Sequence, residues 1–245
     1  MYNLSETLDK NKISQQKRLK KILSPIQTDL SLMESELELQ LKEIELSHGK
    51  ENELSRFSDK LLQHPFKTGG KRLRPALIIF SSYAAGRRGL DESKDIAKLA
   101  TAVELIHSAS LIHDDVIDEA MFRRGRMSAA ARYGNKMSVL IGDVLLTQFY
   151  MIVSSLTNLA ADTRFALLDL LMTVTKRMCY GEIYEEKLRS GQIKVNQELY
   201  LDTIDNKTAS LMSGCCRAGA MVTDTTSEEQ NMLSKFGYHL GMAYQ

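Results

Sequence analysis

Asp114 and Asp118 stand four residues apart in the run Asp114-Asp115-Val116-Ile117-Asp118. On a helix, positions i and i+4 share a face, so the two carboxylates lie one turn apart. Like charges at that spacing repel unless a cation sits between them. Oxygen ligands with few geometric constraints suit Mg²⁺, which keeps waters and commonly binds substrate phosphates as well. A DDxxD run by itself also describes a solvated acidic helix end. Here it closes a mostly apolar stretch from Val103 to Ile112, which points to the mouth of a cavity.

A second cluster, Gly69-Gly70-Lys71-Arg72-Leu73-Arg74-Pro75, crowds three cations into four positions just ahead of a helix start. Helix N-termini attract anions, and glycines let a backbone approach a phosphate closely. The helix dipole disfavours cations at that end, so they form either an exposed basic loop or the cradle of an anionic ligand. Phe122-Arg123-Arg124-Gly125 follows Asp118 closely, and arginine forks grip phosphates in bidentate fashion. Lys207-Thr208 reads either as an ordinary helix-surface pair or as a further phosphate contact. His107 lies two turns before Asp114 on the same face, as a satisfied polar residue or as a ligand contact.

These residues need long, rigid carriers. Pro25, Pro65 and Pro75 are the only prolines. Proline-free stretches with apolar residues at helical spacing predict an all-α fold, and no alternating strand pattern of useful length occurs. Ser24-Pro25, a cap and then a first-turn proline, opens a helix through Ile26, Leu30, Met33, Leu37, Leu41 and Ile44 that Gly49 stops. A short helix with Leu54, Phe57 and Leu61 ends at Pro65, Gly69-Gly70 turns the chain, and Pro75 opens a helix to about Gly86. The next helix, 93–118, carries Ile96, Leu99, Val103, Ile106, Ser110 and Ile117 and delivers the aspartates. Residues 119–136 read as loop, and helices are expected over 137–158, 163–190, 196–222 and 227–245. Residues 1–24, with six Lys and Arg against Glu6 and Asp9, read as a basic polar tail, solvated or a frayed helix rather than a membrane-surface contact, before a helical domain over 25–245.

The 245 residues suffice for one domain. An apolar share of 43% with 26% charged residues excludes disorder and collagen-like repeats. Lys plus Arg (32) nearly balance Asp plus Glu (31), which leaves no global basic field for nucleic acid. No apolar run approaches the roughly 20 residues of a membrane-spanning helix, and no secretory signal is visible. Cys179, Cys215 and Cys216 are too few and too badly spaced for a disulfide framework or a zinc cage. A reduced, cytoplasmic setting is expected.

Taken together, "GGKRLRP" at 69–75, "ELIHSASLIHDDVID" at 104–118, "RRG" at 123–125, "GD" at 142–143, "GE" at 181–182 and "KT" at 207–208 resemble the trans-polyprenyl diphosphate synthases. Each motif is weak; their order and spacing, from about Leu23 to Gln245, are specific. The resemblance implies an isoprenoid-synthase-type bundle of long antiparallel helices around a central apolar cavity. It implies that an allylic diphosphate, such as farnesyl diphosphate, ionises to a carbocation. The double bond of isopentenyl diphosphate attacks that cation, and proton loss restores an alkene. Mg²⁺ and cationic side chains would stabilise charge on the departing diphosphate, and a dry cavity would keep water away. By the same resemblance Asp114 and Asp118 would ligate Mg²⁺, with Asp115 in support. Lys71, Arg74, His107 and Arg124 would hold isopentenyl diphosphate, with Arg72 nearby. Arg123, Lys207, Thr208 and Gln245 would face the allylic diphosphate. Asp114, Asp118, Arg123 and Lys207 form the expected catalytic set.

Product length follows from the helix carrying Asp114. Ser110 and Ala109, one turn back, are small; Ile106 and Val103, deeper, are apolar but not aromatic. A medium- or long-chain product of C25 or more is expected, which Ala109→Phe should shorten. The family's second aspartate-rich motif and its remaining C-terminal helices would lie beyond Gln245. The chain by itself is therefore expected to be inactive or severely impaired and to expose apolar surface. Glu185 stands where a glutamine is more usual. A homodimer is expected, or else a heterodimer with a small partner, with no nucleic acid and no integral membrane segment. The rival reading is a non-catalytic helical subunit that regulates a complete synthase, but a scaffold has no need of the full charge set. Terpene cyclases and squalene-type synthases share the DDxxD run but leave the Gly70–Arg74 cluster without a ligand.

Overall fold

The computed structural model describes residues 17–46, 60–66, 70–87 and 90–245. The expectations for residues 1–16, Gly49, Leu54, Phe57 and Gly69 lie outside them. The principal helices are α1 (Gln27–Leu46), α2 (Leu73–Ala84), α3 (Leu90–Ile117), α4 (Ala129–Tyr133), α5 (Asn135–Ser154), α6 (Ala161–Arg189), α7 (Gln197–Ile204), α8 (Ser210–Met221) and α9 (Ser227–Tyr244).

Apolar residues at helical spacing become the inner faces of this bundle. α1 buries Leu30, Met33, Leu37, Leu41 and Ile44, and α2 buries Ala76, Leu77, Ile78 and Ile79. α3 is buried on every side in its middle: Leu99, Ala100, Ala102, Val103, Leu105 and Ile106 are at most 1% exposed. A helix apolar all round belongs at the centre, and α3 packs against α1, α2 and α5. α8 packs against α2, α6 and α9 through small buried residues such as Gly214, Cys215, Ala218 and Gly219.

Several boundaries differ from the sequence reading. Residues 17–23 are helical and mostly exposed, the helical form the reading of the tail allowed. Ser24 does not cap a helix; Ser24–Ile26 is a 3₁₀ turn, and the Ser24 hydroxyl donates to the Lys21 carbonyl at 2.9 Å. Within 119–136, β1 (Phe122–Arg123) pairs antiparallel with β2 (Arg126–Met127), Phe122 opposite Met127. Arg124 and Gly125 between them have φ of 51° and 77°; positive φ at both central residues is what a two-residue I′ hairpin loop requires. Strands this short carry too little alternation to show in a sequence pattern. Ser128 then caps α4, its Oγ accepting from the Ala131 N–H at 3.0 Å.

The expected helix 196–222 divides into α7, a π-helical turn (Asp205–Ala209) and α8. Such turns add a residue to a helix and re-aim its side chains. α6 crosses closely here, because a Cβ on Gly181 would lie 2.5 Å from the Lys207 backbone nitrogen. α9 opens on a capping box between Thr226 and Glu229.

α5 is long and apolar enough to cross a bilayer, with a mean hydropathy of 1.6 over its apolar window, although no uninterrupted apolar run of that length exists. Its inner face, Ile141, Leu145, Phe149 and Ile152, belongs to the core against α3.

The close crossing yields a stability prediction. Gly181→Ala should cost about 1–3 kcal/mol through overpacking, outweighing a propensity gain of up to about 1 kcal/mol. Urea denaturation of the two proteins measures it, and an unchanged midpoint would refute the crossing.

Candidate active site

α3 separates two cavities. Ile106, Ser110, Asp114 and Ile117 line a large one of about 710 Å³, closed by Leu146 of α5, by Thr175, Met178, Cys179 and Glu182 of α6, and by Lys207 and Thr208 of the π turn. Glu104, Ser108, Ile112 and Asp115 on another face line a small one of about 50 Å³, with Arg72, Arg123 and Arg124 around it. His107 and Leu111 reach both. The helical repeat alone explains this division, since residues three and four apart share a face.

In the large cavity Asp114 faces Glu182 of α6. Burial, and then the negative charge of Glu182, push the Asp114 carboxyl up to about 7. Lys207 Nζ bonds Glu182 at 2.6 Å and also Glu185. Although burial works against the ammonium, its bonds to Glu182 and Glu185 hold the Lys207 pKa above its ordinary value. Arg177 bonds Asp205 at 2.7 Å and Asn206 at 3.1 Å, pinning the π turn to α6. The Thr208 hydroxyl donates to Gln245 Oε1 at 3.1 Å.

A chain of polar contacts ties the cation cluster to α3. Arg72 has φ of 48°, and its guanidinium bonds Glu34 of α1 through Nε at 2.5 Å and Nη2 at 3.0 Å. Its Nη1 meets Glu104 of α3 at 2.5 Å. Burial raises the Glu104 carboxyl above its usual range even though Arg72 opposes that. Arg74 donates to His107 Nε2 at 3.0 Å. Since arginine cannot accept, Nε2 is the acceptor and the imidazole carries its proton on Nδ1. Burial, followed by the charges of Arg74 and Arg124, holds His107 well below its usual pKa, so it is neutral at pH 7. The Arg74 Nε is buried with no hydrogen-bond partner, as befits a guanidinium awaiting an acceptor.

The fold thus brings together Asp114, Lys207, Thr208, Arg74 and His107 around the large cavity, and Arg123 and Arg124 beside the small one. Lys71 is exposed beside them, and Asp118 is exposed one turn beyond Asp114. Asp115 turns away from the large cavity and bonds Arg123 Nε at 2.7 Å, so it anchors the hairpin arginine. Ser110 and Ile106 line the large cavity, whereas Ala109 (1% exposed) and Val103 (0%) are packed in the core. Glu34, Glu104, His113, Cys179 and Glu182 had no place among the sequence candidates. Glu182 had a signal, because Glu182 and Glu186 repeat the i, i+4 spacing of Asp114 and Asp118 and both line the cavity. His113 sits over Gly142, where a Cβ would lie 2.1 Å from its Nε2, which accounts for the glycine of the "GD" pair.

Asp114 and Glu182 supply hard oxygen donors, and their mutual repulsion is relieved by a cation. Among the described residues no group of three or more His, Cys, Asp or Glu forms a complete cage. This donor set fits a cation of the Mg²⁺ type, which takes one or two carboxylates and completes its shell with water and phosphate oxygens.

Removing single charges has opposite effects in the two halves of the site. In the metal-free folded chain, Asp114 holds a proton between about pH 4 and 7 that the unfolded chain has lost, so stability falls as pH rises through that window. Asp114→Asn should remove this slope and add about 1–2 kcal/mol at pH 7.5, read by thermal unfolding in chelator. Arg72→Met leaves Glu104 buried without its main partner and should cost about 3 kcal/mol; equal melting temperatures would contradict that.

The family model described as "Polyprenyl synthetase" matches residues 55–245. The octaprenyl diphosphate synthase of Haemophilus influenzae is 35% identical over 177 residues, covering 72% of this chain and 50% of the relative. Heptaprenyl diphosphate synthase component 2 of Geobacillus stearothermophilus is 32% identical over 230 residues, covering 93% of this chain and 65% of the relative. Among solved structures, a polyprenyl synthase from Caulobacter crescentus CB15, complexed with calcium and isoprenyl diphosphate, superposes with a TM-score of 0.75 at 28% identity, covering 94% of this chain and 62% of that one. The chain spans half to two thirds of the length of these proteins. With cation cluster, acidic helix end and hairpin arginines set around one central helix, and a family match over most of its length, this chain belongs to the polyprenyl synthetase family.

Proposed function

We propose that this chain carries the substrate sites of a divalent-metal-dependent prenyltransferase, which joins an allylic diphosphate to isopentenyl diphosphate and makes a trans-polyprenyl diphosphate of C25 or longer. The observation that carries this reading is the partition by α3: an acid-lipped apolar cavity on one face, an arginine-ringed pocket on the other, and His107 and Leu111 shared between them. Two diphosphates can be held apart while their hydrocarbon ends meet.

Asp114 and Glu182, with Asp118 one turn on, would hold Mg²⁺, which supplies charge neutralisation for the departing diphosphate. Lys207, which lines the large cavity, binds that diphosphate by exchanging its bonds to Glu182 and Glu185 for phosphate oxygens, and Arg123 joins it from the small-pocket side on leaving Asp115. Arg124 holds isopentenyl diphosphate in the small pocket, with Lys71 beside it and Arg74 reaching it from the large-cavity side. Neutral His107 accepts from Arg74 and orients it, since a protonated imidazole among these arginines would be repelled. Ile106, Leu146 and Met178 keep water from the cationic carbon.

The proposed partner is a second copy of the chain. Leu140, Val144 and Met151 of α5 and Phe165 and Met172 of α6 are exposed apolar residues, 37–70% accessible, and large exposed apolar patches mark association surfaces. The "component 2" of the Geobacillus relative's name supports a heteromeric assembly as the second reading.

Incubation with farnesyl diphosphate, labelled isopentenyl diphosphate and Mg²⁺, with products separated by length, tests the proposal. A ladder reaching C25 or beyond would show that these residues suffice for turnover, and Lys207→Gln should then lower its rate about 100-fold or more; without a ladder the expectation of an impaired chain holds and substrate binding decides. Binding of isopentenyl diphosphate that Arg74→Gln abolishes would support the site even without turnover. Neither product nor binding would leave the non-catalytic subunit. Ser110→Phe should shorten the product, because Ser110 faces the cavity. Ala109→Phe should instead destabilise the fold by about 1–3 kcal/mol, because Ala109 is core.

A further inference from the structure

A third concave region lies at the β1–β2 hairpin, next to the small cavity. This cleft of about 530 Å³ is lined by Lys60, His64, Arg126, Met127, Arg132 and Tyr133. Its cations come from separate elements: Lys60 from the segment 60–66, Arg126 from β2 and Arg132 from α4. Among the described residues no carboxylate lines it, and none pairs with Lys60, Arg126 or Arg132.

The cleft has a fixed floor. The Tyr133 ring meets His64 edge-on, centroids 5.4 Å apart, and takes the Arg132 guanidinium over its face at 5.4 Å. His64 Nε2 donates to the Met127 carbonyl at 3.0 Å, which joins the segment 60–66 to the hairpin. The like charges around this floor repel one another, and an anion between them removes that cost. Guanidinium forks and an ammonium arriving from three elements match an anion with several oxygens rather than a single carboxylate.

We propose that this cleft is a second phosphoryl-anion site, which takes a phosphate monoester or diphosphate group. His64 and Met127 also line the small cavity, so the cleft adjoins the pocket assigned above to isopentenyl diphosphate. Its use as a staging point for that diphosphate rests on the proposed function. The anion site itself does not. An anionic phospholipid headgroup offers the same chemistry as a soluble diphosphate.

The test titrates inorganic pyrophosphate into the full chain by calorimetry, without metal and at low ionic strength. Two classes of site are expected. The double variant Arg126→Gln, Arg132→Gln should weaken one class about tenfold or more, as loss of charge-assisted contacts requires, and Arg74→Gln should weaken the other. Arg126→Lys with Arg132→Lys should restore much of the lost binding, which a folding defect would not do. In parallel, flotation with phosphatidylcholine vesicles, with and without phosphatidylglycerol, reads the lipid source. Vesicle binding that needs phosphatidylglycerol and is lost in the double Gln variant supports the site with a headgroup as ligand. Pyrophosphate and vesicle binding both unchanged in that variant overturn the proposal. If only Arg74→Gln loses binding, this site falls and the proposed function stands. If only the double Gln variant does, the reverse holds.

Discussion

Glu104 is a carboxylate set in the most buried helix of the bundle, and much of the site is arranged around that fact. A charge in such a place is tolerated only when paired. Arg72 pairs with it, Glu34 steadies Arg72 from α1, and Arg74 lies close enough to add its own charge. The same contacts hold the segment entering α2 against α3, so the compensation for one buried acid also fixes where the neighbouring cations, Lys71 and Arg74, stand. Arg72, read from sequence as a residue near substrate, is engaged in this internal bridge.

The central position of α3 has a second consequence. A helix buried through its middle has no solvent face, so each of its sides must meet either another helix or a cavity. Ala109 and Val103 meet the core, Ser110 and Asp114 meet the large cavity, and Ser108 and Asp115 meet the small one. A one-residue difference in position therefore separates packing from chemistry. That is why Ala109 and Ser110, both small and both about one turn before Asp114, have different surroundings.

Opposite α3, the π turn does similar work for the cations. Inserting Asp205–Ala209 between α7 and α8 aims Lys207 and Thr208 into the cavity together, and the bare backbone of Gly181 lets α6 approach them. Lys207 then lies among Glu182, Glu185 and the field of Asp114. Acidic and basic groups neutralise one another across the cavity mouth.

Sequence alone determined the helical class, most helix spans and the identity of the charged clusters, because these rest on local periodicity and on residue chemistry. The inward stripe of α1, the burial of 96–106 and the start of α9 at 227 are local properties of that kind. Tertiary structure alone decided the β hairpin, whose strands are too short to show a period, and the π turn, which a periodic pattern passes over. It also decided which neighbours each charge meets. Asp115 belongs to Arg123, Arg72 to Glu34 and Glu104, and Glu182 to Asp114 and Lys207. Those pairings join residues far apart in the chain, and only the packing of α1, α2, α6 and the hairpin around α3 brings them within reach.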